Sequence, residues 1–362
     1  MDSSRLENGC SFQDTLRVLV VIPGADEGAA LSFSKRQAAS VGDCGVHVRS
    51  FYLKSRTSPI AVWKELRRLR GEIQEFTPDI VHAHFGTMTA FVSAMASLRP
   101  LVITFHGSDL NPAPGGQWLR TRLGHTLSHL AARRASQVIC VSPQLFRQVA
   151  YVKDRAHVVP CGVNMERFRP ISREQCRATL GWNTHEKIVL FNARNDPVGK
   201  RLDLAEAAFA HARREIPNLQ LHVFRGRTHP DEMPLYYGAA DCLLMTSDYE
   251  GSPMVVKEAM ACNLPVVSVD VGDVAARLAG VAPSAVVARD PVALGEALMD
   301  VLRVNCASNG REMAQDVSES AIAKQIASIY RLAAAEAVSE RVGRQQGWIS
   351  DYFRKRPTET PC

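Results

Sequence analysis

Short runs rich in Val, Ile and Leu recur along the chain, each followed by a stretch with helical spacing. This alternation constrains the fold more than any other feature. The runs fall at residues 16–22, 46–53, 80–81, 101–105, 138–141 and 158–159, with helical patterns between them, as at 62–76 and 119–135. Strands that alternate with helices build βαβ units, so the strands should lie parallel. The pattern pauses between Pro160 and Pro170, then resumes with runs at 188–191, 219–224, 242–245, 266–269 and 285–287. Two Rossmann-like α/β halves are predicted, facing across a groove, with ligand loops beyond the strand ends of both. A length of 362 residues is more than one core usually fills. Residues 1–170 are read as a first domain and 171–337 as a second, closed by a helix over 321–337. Residues 338–362 are read as a polar tail carrying Arg354-Lys355-Arg356.

Composition narrows the classes of function. No run of eighteen apolar residues occurs, which argues against a membrane-spanning helix. Residues 1–15 are polar and lack the apolar stretch of a secretory signal. The nine cysteines are scattered and include no Cys-x-x-Cys pair, which favours reduced thiols in the cytoplasm over a disulfide or zinc framework. Charge is uneven: residues 1–170 hold 21 Lys and Arg against 13 Asp and Glu, whereas 171–362 hold 22 against 24. A basic first half suits contact with an anionic membrane surface at the inner face of the cell membrane. The cations concerned lie in Gln117-Trp118-Leu119-Arg120-Thr121-Arg122 and at Arg133-Arg134, although a solvated helix face would carry the same letters. Nucleic acid is not expected as a partner, since no aromatic-interleaved basic stripe accompanies the charge.

The densest motif is residues 250–265, which hold Glu250 and Glu258 with seven residues between them. Ser252 is expected to cap a helix whose first residue is Pro253. Asn263 is expected to close it in the left-handed conformation, and Pro265 to stop it. The N–H groups of Gly251 and Ser252 would then lie beside the positive end of a helix, where anions bind. Donors for phosphate and carboxylates for hydroxyls together suit a sugar nucleotide. A surface helix with two solvated glutamates would have the same spacing.

Three further segments follow strands. Residues 192–203 place Arg194 and Lys200 in a Pro/Gly loop before a helix, a plausible diphosphate clamp of one planar fork and one point charge. Solvated surface cations would look alike. Residues 104–109 put His106 at the carboxyl end of a strand, where open α/β sheets keep their ligands, though a loop histidine can be purely structural. Pro23-Gly24-Ala25-Asp26-Glu27-Gly28 forms a loop after the first strand without a full dinucleotide fingerprint. His82 and His84 resemble a metal pair, but they are read as facing opposite sides of a strand, and no third ligand is evident. No metal site is predicted. Gly-x-Ser-x-Gly and Asp-x-Asp are both missing, which argues against a serine hydrolase and against transferases that hold a metal with paired aspartates.

In order along residues 16–335, these pieces resemble the family-4 retaining glycosyltransferases of the GT-B fold. The resemblance is carried by Val81-His82-Ala83-His84, the 104–109 segment, Val141-Ser142 and Val159-Pro160-Cys161-Gly162-Val163-Asn164 with Phe168. It continues through Arg194 and Lys200, Ala239-Ala240-Asp241 and residues 250–265. The resemblance implies that the first domain binds the acceptor and the second the nucleotide-sugar donor. Arg194 and Lys200 would hold the donor diphosphate and Glu258 the ribose. Gly251, Ser252 and Pro253 would contact the transferred sugar, Gly24 would bind the donor from the loop after the first strand, and Glu250 together with His106 would be catalytic. His106 would face the sugar from the first domain. It further implies retention of configuration without metal or other cofactor, and transfer to a glycan or lipid-linked acceptor. The variants Asn192-Ala193-Arg194-Asn195-Asp196-Pro197 and Asn263-Leu264-Pro265 look most like transferases of bacterial surface-polysaccharide assembly. Three positions depart from the family pattern: Pro23-Gly24-Ala25, where two adjacent glycines are common; Ala193, for a glycine; and Phe224-Arg225-Gly226, for Gly-x-Gly. Two other readings use the same fold, a non-catalytic subunit that stabilises a partner transferase and a sugar-nucleotide epimerase. The first would bind donor without turnover, and the second would convert it without an acceptor.

Overall fold

Two wholly parallel sheets form the frame of the molecule in a computed structural model that describes residues 15–25, 32–54, 58–111 and 118–354. The first sheet is built from β1 (Leu16–Pro23), β2 (Val46–Leu53), β3 (Ile80–His84), β4 (Leu101–Phe105), β5 (Gln137–Cys140) and β6 (Ala156–Val158), in the order β2-β1-β3-β4-β5-β6. The second holds β7 (Lys187–Asn192), β8 (Leu219–Phe224), β9 (Cys242–Met245), β10 (Val266–Val269) and β11 (Ala285–Val287), in the order β11-β10-β9-β7-β8. Both sheets reverse direction beside their own first strand, at β1 and at β7. Crevices for ligands open at such switch points, beyond the carboxyl ends of the strands.

Alternation along the strands divides the core. Val18, Val20 and Ile22 of β1 face one side, where they join a cluster that continues into the second domain. Leu19 and Val21 face the other, packing with Leu69, Phe76, Ala90, Ala131 and Ala132 of three covering helices. Those helices are Pro59–Phe76, Thr87–Ala96 and Trp118–Arg134. The first is capped as its sequence dictates: the Ser58 hydroxyl accepts from the Ala61 N–H at 3.2 Å, with Pro59 just inside.

The ends of β1, β5, β6 and β7 shift by one or two residues from the expected runs, and three larger features also differ. β3 runs on to His84 rather than stopping at Val81, because the two histidines continue the buried strand. A two-residue period places side chains i and i+2 on one face, so His82 and His84 point the same way, with ring centroids 4.5 Å apart. The final helix spans Glu319–Arg354, well beyond the expected 337, since no proline interrupts the sequence before Pro357. Lys355 and Arg356 lie outside the described residues, as do Asp26, Glu27, Gly28 and Gln117 and the side chains of Trp118 and Arg120.

That final helix begins beside the second domain and packs against the first. Tyr330 donates or accepts a 2.6 Å hydrogen bond with His82 Nδ1, Gln137 donates to Glu336 at 2.7 Å, and Arg331 donates to the Cys44 carbonyl at 3.0 Å. At its start Glu319 takes Arg36 on one oxygen and Asn164 on the other, each at 2.9 Å.

Candidate functional site

The loop after β7 supplies the cations. Arg194 adopts a left-handed backbone, φ 47°, and its N–H donates to the Phe224 carbonyl at 3.0 Å, tying the loop to the end of β8. Asp196 then closes a tight turn by accepting the Gly199 N–H at 2.9 Å, with its carboxylate folded over the Gly199 α-carbon. The turn delivers Lys200 to the loop after β9, where the Thr246 hydroxyl meets the Lys200 carbonyl at 2.9 Å. Lys200 Nζ forms an ion pair with Glu250 Oε1, both side chains being largely covered. Among the described residues Arg194 has no carboxylate within ion-pair distance, and its guanidinium is exposed.

Glu258 lies on the helix Met254–Ala261 and accepts the Tyr237 hydroxyl at 2.8 Å. Burial raises the Glu258 carboxyl above its ordinary range, opposed by that hydroxyl and by the nearby cations Arg36, Arg167 and Arg194. The helix starts one residue later than the sequence predicts, with Pro253 in the cap position. Ser252 does not cap it, because its hydroxyl is fully used elsewhere. It accepts from Lys257 Nζ and from the Cys161 N–H at 3.1 Å, and donates to Asp273 Oδ2 at 2.9 Å. Lys257 and Asp273 form an ion pair of 3.0 Å, with side chains 0% and 3% exposed. Asn263 does close the helix, at φ 56°.

The first domain meets this loop backbone to backbone. His106-Gly107 lies against Gly251, where a methyl group on Gly251 would sit 2.0 Å from the His106 carbonyl oxygen. Asn111 Nδ2 reaches the Glu250 carbonyl at 3.4 Å, and Gln144 accepts the Gly272 N–H at 3.2 Å. Asp109 fixes the turn by accepting N–H groups of Gly107 at 2.8 Å, Gly86 at 2.9 Å and His106 at 3.2 Å. The ring of His106 points inward. Its Nε2 lies 3.0 Å from His84 Nδ1, and its Nδ1 lies 4.0 Å from Cys161 Sγ. Burial and the neighbouring His84 depress the His106 pKa well below its ordinary value, and burial pushes His84 down to about 3. Both rings are neutral at pH 7, so His106 is poorly suited to act as a charged group.

Gly24 ends β1, with φ 111° and its N–H on the Leu53 carbonyl at 3.0 Å. Its positive φ requires glycine; crowding does not, since the space around its α-carbon is open.

The structure therefore gathers Lys200, Glu250, Gly251, Ser252, Pro253 and His106 around one interdomain contact, with Arg194 and Glu258 coupled electrostatically beside it. Sequence reasoning gave no role to Asp109, Tyr237, Lys257 or Asp273, and it weighed His84 as a metal ligand and as part of the family resemblance without a role in the site. Lys257 left one trace: a charged residue inside the apolar run Met254-Val255-Val256 to Ala259-Met260-Ala261.

Comparison with known proteins finds two family models in succession, Glycosyltransferase Family 4 over residues 14–167 and Glycosyl transferases group 1 over residues 186–303. A Bacillus subtilis protein named as a teichuronic acid biosynthesis glycosyltransferase, TuaC, is 28% identical over 220 residues, covering 56% of this chain and 55% of the relative. The chain spans about half the length of the curated relatives it matches. Among solved structures, sucrose-phosphate synthase from Thermosynechococcus elongatus superposes with a TM-score of 0.75 at 20% identity, over 89% of this chain and 100% of that one. HepE of Anabaena, in complex with UDP and glucose, gives a TM-score of 0.65 at 18% identity, over 90% and 100%. These likenesses establish the GT-B fold.

Proposed function

We propose that this chain, matched by Glycosyltransferase Family 4 in its first domain and by Glycosyl transferases group 1 in its second, moves a sugar from a nucleoside-diphosphate donor to a glycan or lipid-linked acceptor. The observation that carries this reading is the pairing of Lys200 with Glu250 at the mouth of the β7 and β9 loops, with Arg194 and Glu258 beside it. A diphosphate entering there would exchange Glu250 for phosphate on Lys200 and take the open fork of Arg194. Glu250 would then be released toward the sugar hydroxyls, and Glu258 would accept from the ribose. His106 would contribute its backbone and the wall of its ring, since both ring nitrogens are engaged within the protein. Similarity to Glycosyltransferase Family 4 supports transfer with retention, in which the leaving phosphate takes the acceptor proton. Catalysis would rest on positioning and on stabilising charge on the diphosphate. The kinship with TuaC favours a surface polysaccharide as the product.

Calorimetric titration with UDP, GDP and ADP, without added metal, tests the donor site, and UDP leads the panel because HepE was solved with it. One diphosphate should bind selectively, and Arg194→Ala should weaken it about 10- to 100-fold, as loss of a charge-assisted bond predicts. Equal binding by the variant would remove Arg194 from the clamp. Transfer is then measured with the matching sugar nucleotides.

A membrane-bound acceptor is supported by the layer of three helices on the first sheet. That layer exposes Ile60, Trp63, Met95, Leu98, Leu119, Leu123 and Leu130, interleaved with Arg67, Arg122, Arg133 and Arg134. Cations and apolar tips on one face suit an anionic lipid surface. No helix among the described residues is long and apolar enough to cross a membrane. The protein should sediment with phosphatidylglycerol vesicles at low salt, and replacing Arg67 and Arg122 by Gln should weaken partitioning roughly 30-fold, at about 1 kcal/mol per cation. Unchanged partitioning would remove the membrane from the proposal.

A further inference from the structure

We infer that His84 is a positioning residue for sugar transfer: it clasps the ring of His106 and so fixes the turn that meets Gly251 across the cleft. The inference rests on the transferase reading above. The His84 and His106 rings are nearly parallel, 13° apart, and share the 3.0 Å contact between Nδ1 and Nε2. The remaining His106 nitrogen faces Cys161 Sγ, and the rings of Phe33 and Phe85 pack on its sides with centroids at 4.9 and 4.5 Å. His106 is thus gripped on every edge, and its carbonyl is left pressed against Gly251.

His84 is itself held from behind. It is 1% exposed and rests on the ring of His82. Both His82 nitrogens are taken, Nδ1 by the Tyr330 hydroxyl at 2.6 Å and Nε2 by Thr104 Oγ1 at 2.8 Å. A column of side chains therefore runs from the final helix through β3 to the end of β4 and on to Cys161. Of its members, His106 and Cys161 reach the interdomain contact, His106 through its carbonyl beside Gly251 and Cys161 through its N–H on the Ser252 hydroxyl. The chemistry of the column is that of neutral imidazoles, each with one donor and one acceptor nitrogen. The His84–His106 bond accordingly needs a nitrogen at that place, and an apolar group of equal bulk would leave a ring nitrogen of His106 without its partner.

The test compares His84→Leu with His84→Asn, whose amide can occupy the place of Nδ1. UDP-glucose serves as donor probe, with release of UDP as the readout. His84→Leu should lower kcat about 10- to 100-fold, the scale of a roughly 1 Å misplacement of a positioned group, and leave the donor KM within about threefold. His84→Asn should recover most of the loss. A His84→Leu enzyme with the wild-type kcat would overturn the inference, and so would equal impairment of the two variants. Imidazole nitrogen-15 spectra of the wild type give a second reading that needs no turnover. They should show His106 in one fixed tautomer, and a mixture of tautomers would overturn the clasp. A wild-type protein inert toward every sugar nucleotide would defeat the transferase reading, while the spectra would still decide whether His84 holds His106.

Discussion

Gly251→Ala is expected to lower kcat/KM by about 100-fold while leaving both sheets folded. The added methyl would stand 2.0 Å from the His106 carbonyl oxygen, 2.8 Å from its carbon and 3.0 Å from Val141 Cγ2. Backbone cannot swing aside as a flexible side chain can. Gly272 blocks retreat on the other side, since a methyl there would meet the Gly251 carbonyl at 2.5 Å, and Gly107 packs on the Gly251 N–H. Relief would come from parting the two domains, which separates the His106 turn from the loop of Glu250. Overpacking costs about 1–3 kcal/mol, and each 1.36 kcal/mol is tenfold in rate, which gives the stated loss at the upper end. Steady-state kinetics beside thermal unfolding and small-angle scattering would check it. A variant within about threefold of wild type would show that this contact has no part in the working geometry.

The second large effect is on stability. Lys257→Met would strand Asp273, 3% exposed at its side chain, without the ammonium that balances it. The Ser252 hydroxyl would lose a donor at the same time, and Asp273 Oδ1 already has no hydrogen-bond partner among the described residues. Breaking a buried pair from one side costs about 3–5 kcal/mol, which corresponds to a fall in Tm of roughly 6–20 °C for a domain of this size. Replacing both members, Lys257→Met with Asp273→Leu, should cost less than the single change, because no lone charge remains buried. Thermal unfolding of the three proteins would decide. A double variant less stable than Lys257→Met would mean that the pair contributes through Ser252 and not through its charge.

The parts of the fold that could be read from sequence are those governed by local patterns. β2, β4, β8, β9, β10 and β11 have the bounds that their apolar runs predict, and the left-handed Asn263 follows from its place after a helix. The errors have a common origin in tertiary partners. Ser252 looked like a cap because Ser, Pro and a helix follow one another, but Asp273 lies 21 residues away and claims the hydroxyl. His82 and His84 follow the regular two-residue period onto one face, not onto the opposite faces expected of them. Their partners Tyr330 and His106 are 248 and 22 residues distant, and no local spacing announces either. Asp109 is a milder case. A carboxylate three residues after His106 is placed to accept nearby N–H groups, yet only the fold brings Gly86 within its reach.

The path of the final helix bears on how such proteins can be recombined. The helix Glu319–Arg354 buries Ile326 and Tyr330 and reaches His82, Gln137 and Cys44 of the first half, so the fold of the first domain is completed by residues that follow the second. The second sheet, β7 to β11, is accordingly an insertion within it. Hybrids made by a single crossover near residue 170 would join one parent's strand β3 to another parent's helix, mismatching Tyr330 with His82. Exchanging the second domain between relatives would need two crossovers, one before β7 and one before Glu319, so that each first domain keeps the helix it was built with.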